Sequence, residues 1–373
     1  MHIAMVAPHF HPEVGGLETS VRVLATWLAR RGHDVTVHTS ARTLDGRKLP
    51  ETDHVDTVSI QRHPLRLSLG YFRSVFDPDL SAAELVHLHG YAVLTNDLAA
   101  RRSRAPVVYS LLHGVSMPHP TIWTRLERSV YDRVVGVPTL RRVDAIVAAN
   151  RLDLSWLTAR GLQGTKVHLL PSPLPESAFR PGLAERAREQ FGSNRFVLFL
   201  GRLHREKGVL DLVDALDGIA DIEVWFAGPD GGAATQVRDR ARAVGVGERV
   251  RVLGEVSEDA KRDLLAACEF LVLPSAFEAQ GIVVAEAWAQ GKPVIATQVG
   301  ALKEWIETDR TGLLVPPGSV KALRDAIADL LAAPDRIRSM GQLGAAHAEA
   351  LRLDRVGPQV EALYESLFAR GKG

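Results

Sequence analysis

The chain has 373 residues, of which 46% are hydrophobic and 24% charged, and its formal net charge at pH 7 is +1. This length predicts two globular domains, and a near-neutral chain without a basic stripe of interleaved aromatics does not indicate nucleic-acid binding. Cys268 is the single cysteine, which excludes an internal disulfide. The N-terminus MHIAMVAPHF lacks a signal-peptide pattern, and no apolar stretch reaches the roughly 18 residues of a membrane span, so we predict a cytoplasmic location.

Short apolar runs rich in β-branched residues recur along the chain, with helix-length segments between most of them. In the first half they are HIAMVAP, DVTVHTS, TVSIQRH, LVHLHG, VVYSLLHG, AIVAAN and VHLLPS. After Pro173 the alternation restarts with FVLFLGR, EVWFAGP, VRVLGEV, FLVLPS, PVIAT and GLLVPP. Strands this apolar predict parallel sheets covered by helices on both faces, which is the doubly wound α/β fold class.

A proline-rich segment, PSPLPESAFRPG, interrupts this alternation near the middle of the chain. Prolines and the residues before them resist helix and central strand, so this segment is the predicted linker. We predict an N-terminal domain of residues 1–172, a C-terminal domain of residues 173–351 and a final amphipathic helix within residues 352–373. Doubly wound sheets bind ligands at the carboxyl ends of their strands, and two such domains would form a cleft.

Glycines and histidines follow strands of the first half. Gly15 and Gly16 stand directly before the first helix. Paired glycines let backbone amides approach an anion at a helix N-terminus, whereas the alternative is a loop that needs positive φ angles. His89 and His113 end two further strands, each directly before a glycine. They fit hydrogen bonding or proton handling. No cysteine or carboxylate accompanies them at the spacing of metal ligands, so the pattern argues against a zinc site.

Cations and carboxylates follow strands of the second half. The loop GRLHREKG offers Arg202 and Lys207, which suit a diphosphate, although a solvated basic loop is the alternative. Glu278 precedes a helix predicted to open at Gly281, and Glu286 lies within that helix. Carboxylates accept hydrogen bonds from neighbouring hydroxyls, so the two acids would bind different parts of one elongated ligand. The alternatives are helix-terminal electrostatics and a solvated helix face.

In order and spacing, these motifs resemble the family 4 retaining glycosyltransferases with the GT-B fold. The resemblance covers nearly the whole chain, through GGLE, HLHG, LLHG, GRLHREKG, FAGPDG, VLGEV, FEAQGIVVAEA, GKPVIATQVGALKE and GLLVPPGS. It implies two Rossmann-like domains facing a central cleft, with the acceptor on the first, the donor on the second, and the last helix packed back on the first. It also implies metal-independent transfer, with retention, from a UDP-, GDP- or ADP-sugar to a hydroxyl of a glycan, a lipid-linked acceptor or a small molecule.

The same resemblance implies a role for each candidate site residue. Arg202 and Lys207 would hold the donor diphosphate, and His113 would lie beside the anomeric carbon. Glu278 would contact the transferred sugar and Glu286 the ribose. The catalytic set would be His113, Arg202, Lys207 and Glu278. The remaining contacts would come from Gly15, Gly16, Leu253, Gly254, Gly281 and Ile282 on the donor side, and from Glu18 and His89 on the acceptor side.

Two other functions use the same motifs. A nucleotide-sugar epimerase would convert the donor without an acceptor, and a non-catalytic binding protein would hold the donor without turnover. The presence of Arg202, Lys207, Glu278 and Glu286 favours catalysis over binding alone.

The first half of the chain is basic, with 20 Lys and Arg residues against 15 Asp and Glu through Ser172. Its segment PLRLSLGYFRSVF, residues 64–76, interleaves arginines with leucines and aromatics. This composition favours an anionic or lipid-linked acceptor and is compatible with peripheral contact at the inner face of a membrane. The alternative is a helix packed on its own sheet with snorkelling arginines.

Overall fold

The structure is a computed structural model and describes residues 1–13, 15–67, 75–112, 115, 121–192 and 195–371. The chain forms two compact units. The N-terminal unit comprises Met1–Pro173 and Leu353–Gly373, and the C-terminal unit comprises Leu174–Arg352. In the structure the chain passes between the units after Pro173 and again after Arg352. The boundaries predicted from the sequence, after residues 172 and 351, lie one residue earlier in each case. None of the helices in the described ranges combines the length and the apolar composition of a membrane-spanning segment.

The described residues contain fourteen strands and fourteen α-helices. The strands are β1 (His2–Val6), β2 (Asp34–Ser40), β3 (Thr52–Val55), β4 (Val58–His63), β5 (Leu85–His89), β6 (Val107–Ser110), β7 (Ala145–Ala148), β8 (Val167–Leu169), β9 (Phe196–Leu200), β10 (Glu223–Ala227), β11 (Val250–Gly254), β12 (Leu271–Leu273), β13 (Val294–Thr297) and β14 (Gly312–Val315). The helices are α1 (Gly16–Arg30), α2 (Leu94–Arg102), α3 (Ile122–Tyr131), α4 (Val137–Arg142), α5 (Arg151–Thr158), α6 (Ala184–Phe191), α7 (Val209–Ala215), α8 (Ala234–Ala243), α9 (Glu258–Ala267), α10 (Ile282–Ala289), α11 (Leu302–Trp305), α12 (Val320–Leu331), α13 (Pro334–Ala348) and α14 (Leu353–Gly371).

Each unit is built on one sheet. The N-terminal sheet has the strand order β3-β4-β2-β1-β5-β6-β7-β8, and the C-terminal sheet has the order β11-β10-β9-β12-β13-β14. Neighbouring strands are parallel except for the antiparallel pair of β3 and β4. Central strands such as β9 and β10 are buried along their whole length, because parallel strands joined by helices are covered on both faces. The predicted doubly wound α/β fold is confirmed.

Alternation of side chains along the N-terminal strands divides the core of that unit between the two faces of the sheet. In β1, Ile3 and Met5 belong to one apolar cluster, and Ala4 and Val6 belong to the other. Successive side chains of a strand point to opposite faces, so a strand buried on both sides carries apolar residues at every position. This is the reason that the sequence shows continuous apolar runs.

The last helix, α14, packs within the N-terminal unit. Its apolar face joins one of the two clusters through Val356, Val360, Leu363, Tyr364 and Leu367. The Tyr364 hydroxyl contacts the ring of buried His87, and His87 also bonds the Ser110 hydroxyl at 2.7 Å. A Cβ atom at Gly357 would overlap the Trp27 ring of α1, so glycine at this position permits close helix packing.

In contrast to the other amphipathic elements, α3 presents its apolar side chains to solvent. Ile122 and Trp123 are 77% and 75% exposed. Leu126, Val130 and Val134 are also more than half exposed. The helix continues into a π-helical turn at Asp132–Gly136, and the Arg128 guanidinium on its opposite side bonds Asp132 at 2.7 Å. We call these five apolar residues the exposed face of α3.

A close backbone approach joins the carboxyl ends of β9 and β10. Gly201 and Gly228 follow these strands with φ angles of +145° and +139°. A Cβ atom at Gly228 would overlap the carbonyl oxygen of Gly201. Only glycine satisfies both the backbone conformation and the contact.

We therefore expect Gly228→Ala to lower the thermal midpoint of the protein more than Gly245→Ala. Gly245 also has a positive φ, +76°, but a Cβ atom there meets no atom within 4 Å. Gly245→Ala, the control, should lose only the free energy of placing alanine in a left-handed conformation, about 1–2 kcal/mol. Gly228→Ala should lose roughly 1–3 kcal/mol more, from steric overlap. Circular dichroism melts of both variants measure the difference, and equal midpoints would contradict the described contact.

Buried histidines make the stability of the N-terminal unit depend on pH. Burial lowers the pKa of His38 to about 4, helped by neighbouring His63, and lowers the pKa of His89 to about 3. Burial, together with His89, also lowers the pKa of His87 well below its ordinary value. The unfolded chain binds these protons near pH 6.5 and the folded chain does not, so stability is lost as pH falls from 6.5 toward about 4.

Replacing a buried histidine should weaken this dependence. We expect the melting temperature of His89→Leu to fall less steeply than that of the wild type as pH decreases from neutral to about 4. His54→Leu, a change at an exposed histidine, is the matched control and should follow the wild-type profile. Parallel profiles for wild type and His89→Leu would show that His89 does not contribute.

Candidate active site

The loop after β9 supplies the cations of the C-terminal unit. Arg202 follows Gly201 and is exposed, and no ion pair to it occurs among the residues that the structure describes. A 3₁₀ turn, Arg205–Lys207, comes next, and the left-handed Gly208 joins it to α7. The turn directs Lys207 toward the end of β12.

Lys207 and Glu278 form an ion pair at the end of β12. The distance from Lys207 Nζ to Glu278 Oε1 is 2.6 Å, and the side chains are 31% and 12% exposed. The Ser275 hydroxyl donates a hydrogen bond of 2.8 Å to the same carboxylate oxygen. Gly300, at φ +48°, lies so close that a Cβ atom there would overlap the Glu278 carbonyl oxygen. The Lys207 ammonium and the Ser275 hydroxyl thus hold the Glu278 carboxylate, and the Ala301 amide donates a hydrogen bond of 3.3 Å to the Glu278 carbonyl oxygen.

Helix α10 begins beside this pair. Gly281 is its N-cap in the left-handed conformation, φ +67° and ψ +45°, and no side chain caps the helix. The amides of the first turn, starting at Ile282, are the donors that a helix N-terminus presents to an anion. No acidic residue occupies this first turn.

Glu286, one turn further along α10, pairs with a lysine of α9. Lys261 Nζ lies 2.7 Å from Glu286 Oε1 and 2.8 Å from Glu258 Oε2. Burial alone lowers the pKa of Lys261, but the Glu286 and Glu258 carboxylates outweigh burial and raise the pKa above its ordinary value. Lys261 and Glu286 line one small recess, together with Pro175, Ser177, Ala178, Glu258, Arg262, Leu265 and Gln290.

Lys261 is the residue of this site that sequence reasoning missed. Its spacing from Glu258 is that of an ordinary pair on a helix surface, and Glu286 is 25 positions away on another helix. A buried acid within an apolar helix is the one signal that could have prompted a search for a cationic partner.

Parallel strand order brings the candidate residues of the C-terminal unit to one edge of its sheet. Arg202 and Lys207 follow β9, Leu253 and Gly254 end β11, and Glu278 follows β12. Gly254 accepts a hydrogen bond of 2.7 Å from the Gly228 amide, which ties the end of β11 to the loop after β10. The carboxyl edge of such a sheet is where doubly wound folds bind ligands.

Of the candidate site residues in the N-terminal unit, the structure describes Gly15, Gly16, Glu18 and His89. Gly15 has φ −163°, an extended conformation open to any residue, and Gly16 begins α1, so the loop requiring positive φ angles is wrong for this pair. A Cβ atom at Gly15 would instead overlap the carboxylate of Glu18, which is 7% exposed. Gly15 is thus an extended N-cap residue with the Glu18 carboxylate directly beside it.

The two histidine candidates differ in what can be said of them. His89 ends β5 and is 2% exposed, and neither ring nitrogen has a hydrogen-bond partner among the described residues. Its ring lies 3.9 Å from that of His87, and its lowered pKa leaves it neutral at pH 7. His113 lies outside the described residues. So do residues 68–74 of the segment considered for membrane contact.

Family models match both halves of the chain. The model described as "Glycosyl transferase 4-like domain" matches residues 15–173, and the model described as "Glycosyl transferases group 1" matches residues 184–347. The D-inositol 3-phosphate glycosyltransferase of Segniliparus rotundus is 25% identical to this chain, covering 99% of this chain and 90% of its own length.

Solved structures share the fold over nearly the full length. Sucrose-phosphate synthase from Thermosynechococcus elongatus has a TM-score of 0.78 at 23% identity, covering 99% of each chain. Anabaena HepE in complex with UDP-glucose has a TM-score of 0.77 at 19% identity, covering 98% of this chain and 100% of its own. The two family models together account for most of the sequence, and the chain belongs to the group 1 glycosyltransferases of the GT-B fold.

Proposed function

We propose that this transferase moves a sugar, with retention of anomeric configuration, from a nucleotide-diphosphate sugar to an acceptor hydroxyl. The observation that carries the proposal is the arrangement at the carboxyl edge of the C-terminal sheet. Cations Arg202 and Lys207, the uncapped N-terminus of α10 and two paired carboxylates, Glu278 and Glu286, match the parts of such a donor. A diphosphate is anionic and the groups flanking it are rich in hydroxyls.

Stabilisation of the leaving group is the proposed source of catalysis. As the bond from sugar to diphosphate breaks, negative charge grows on the diphosphate. Arg202, Lys207 and the first amides of α10, near Gly281 and Ile282, bind that charge as it forms. These groups supply the positive charge that a metal ion would otherwise provide, so the proposed reaction requires no metal. The departing diphosphate helps to remove the acceptor proton during attack from the same face.

The two carboxylates orient the donor. Glu278 accepts hydrogen bonds from hydroxyls of the transferred sugar, and Glu286 accepts them from the ribose. The pairing of Glu278 with Lys207 supports this assignment, because one cation then lies between the sugar hydroxyls and the diphosphate. Backbone at Leu253 and Gly254 meets the nucleobase. HepE, which shares the fold, was solved with UDP-glucose, so a UDP-sugar is the first donor to test among UDP-, GDP- and ADP-sugars.

The acceptor is assigned to the N-terminal unit. Gly15 and Gly16 would approach the donor diphosphate, His113 would contact the sugar beside its anomeric carbon, and Glu18 and His89 would line the acceptor side. The basic excess of this half supports an anionic acceptor. The similarity to a D-inositol 3-phosphate glycosyltransferase supports a sugar or inositol phosphate as the class to screen first. We assign the reaction to the cytoplasm, in line with a single buried free cysteine.

Product analysis tests the proposal directly. Incubation with a nucleotide sugar and candidate acceptors should give a glycosylated product by mass spectrometry, and NMR should show the anomeric configuration of the donor retained. An isomerised donor without transfer would instead indicate an epimerase. Donor binding without turnover would indicate a binding protein.

Loss of either member of the Lys207–Glu278 pair should reduce transfer. We expect Lys207→Ala and Glu278→Gln to remain folded and to lose roughly 10²- to 10³-fold in rate, since each removes a group that acts on the reacting part of the donor. Lys321→Ala removes an exposed lysine of a surface ion pair and should keep wild-type turnover. Wild-type turnover in folded Lys207→Ala would refute the site assignment.

We extend the proposal to peripheral contact with an anionic membrane through the exposed face of α3. Five large apolar side chains in solvent are costly unless a partner covers them, and exposed Arg133 lies beside Val134 on the adjoining turn. The basic excess of the N-terminal half favours an anionic bilayer as that partner.

Sedimentation with lipid vesicles tests this contact. The protein should co-sediment with vesicles containing anionic lipid more than with neutral vesicles, and Leu126→Ser should weaken binding. Leu343→Ser, at another exposed leucine, is the matched control and should bind like the wild type. Equal binding by Leu126→Ser, or concentration-dependent self-association that Leu126→Ser abolishes, would overturn the membrane assignment.

A further inference from the structure

We propose that Lys261 is a positioning residue that makes the donor site selective for ribonucleotides over 2′-deoxyribonucleotides. It does so by holding the Glu286 carboxylate in the orientation that accepts hydrogen bonds from the ribose hydroxyls. The inference rests on the proposed function, in which Glu286 binds the ribose.

The contact uses one oxygen of the carboxylate and leaves the other for a ligand. Lys261 Nζ donates to Glu286 Oε1 at 2.7 Å. The part of the chain that the structure describes provides no hydrogen bond to Glu286 Oε2. The Glu286 side chain is 8% exposed, so its rotation is limited by packing on one side and by the ammonium on the other. A carboxylate oriented in this way offers fixed lone pairs to a hydroxyl donor.

Lys261 is suited to this task because its own position is determined. Its side chain is 20% exposed and lies between Glu286 and Glu258, each within hydrogen-bond distance of Nζ. The two carboxylates raise the pKa of Lys261 despite its burial, so the ammonium remains charged at neutral pH. The charge that orients Glu286 is therefore constant over the pH range in which the enzyme would work.

Hydrogen bonds from the segment before β9 fix the positions of α9 and α10 on either side of this contact. Gln290, which follows α10, donates from Nε2 to the carbonyl oxygens of Ala178 and Arg180 at 2.6 and 2.9 Å. Its Oε1 accepts from the Gly182 amide at 2.9 Å. On the α9 side, Asp263 accepts from the Leu183 amide at 2.8 Å. The segment before β9 is thus bonded to both helices, and Lys261 links the helices at the recess.

Without the lysine charge, Glu286 would lose its orienting partner. A buried carboxylate without a cation costs free energy and relaxes toward water or another donor. The Glu286 carboxylate would then adopt several orientations, and only one of them would accept hydrogen bonds from the ribose hydroxyls. A hydrogen bond to a charged group contributes to binding by roughly 10- to 100-fold, and most of the contribution of the 2′-hydroxyl, which only the ribonucleotide carries, should disappear. A 2′-deoxyribonucleotide has less to lose.

Nucleotide binding tests the proposal independently of turnover. Calorimetric titration would compare UDP with dUDP, GDP with dGDP and ADP with dADP, and would use the pair whose ribonucleotide the wild type binds most tightly. We expect the wild type to prefer that ribonucleotide and Lys261→Met to lose roughly 10-fold or more of the preference, with a smaller loss of affinity for the deoxy form, which keeps its 3′-hydroxyl. Lys261→Arg should retain the preference, and Lys321→Met, at an exposed lysine, should match the wild type.

The possible outcomes separate the two hypotheses. If the wild type binds none of the three ribonucleotides, the proposed function fails, and this inference fails with it. If Glu286→Gln loses the preference and folded Lys261→Met keeps it, the proposed function stands and the role of Lys261 is overturned. If Glu286→Gln keeps the preference, the ribose assignment and this inference are overturned. Should Lys261→Met not fold, Lys261→Gln makes the same comparison, because it also lacks the charge.

Discussion

Pairing of buried carboxylates with lysines is the interaction on which the C-terminal site depends. Glu278 and Glu286 have side chains only 12% and 8% exposed, in a part of the fold made mainly of apolar strands and helices. An isolated carboxylate there would carry a large desolvation cost. Lys207 and Lys261 each compensate one of these charges at hydrogen-bond distance. The same contacts orient the two acids, so the compensation of their charge and the orientation of their carboxylates have one physical origin.

The parallel sheet converts this local chemistry into a site. Every crossover returns the chain to the same end of the sheet, so loops distant in sequence meet at the carboxyl edge. Close packing there excludes side chains at several backbone positions, as at Gly228 against Gly201 and at Gly300 against Glu278. The Lys207–Glu278 ion pair also joins the loop after β9 directly to the loop after β12.

Sequence reasoning found the strand-end residues because their signals are local. Arg202 and Lys207 stand in a glycine-bounded loop after an apolar strand, and Glu278 stands before a helix whose start is marked by Gly281. Lys261 was not predicted as a site residue because nothing in its own helix distinguishes it from a surface lysine. For the glycine pair, the structure removes only the alternative of a loop with positive φ angles, since Gly15 is extended and lies beside the Glu18 carboxylate. Such constraints depend on atoms that no short pattern contains.

The doubly wound fold, the linker region and the order of the strand-end motifs could all be predicted from the sequence. Apolar runs, helix periodicity and proline placement are short-range properties, and burial on both faces of a parallel sheet follows from them. Which charges lie in contact depends instead on how the elements pack in three dimensions. The pairing of Glu286 with Lys261, the burial of His89 and the exposure of the α3 face all depend on how elements pack. Desolvation and hydrogen-bond geometry act between residues close in space, and distance along the chain does not set them.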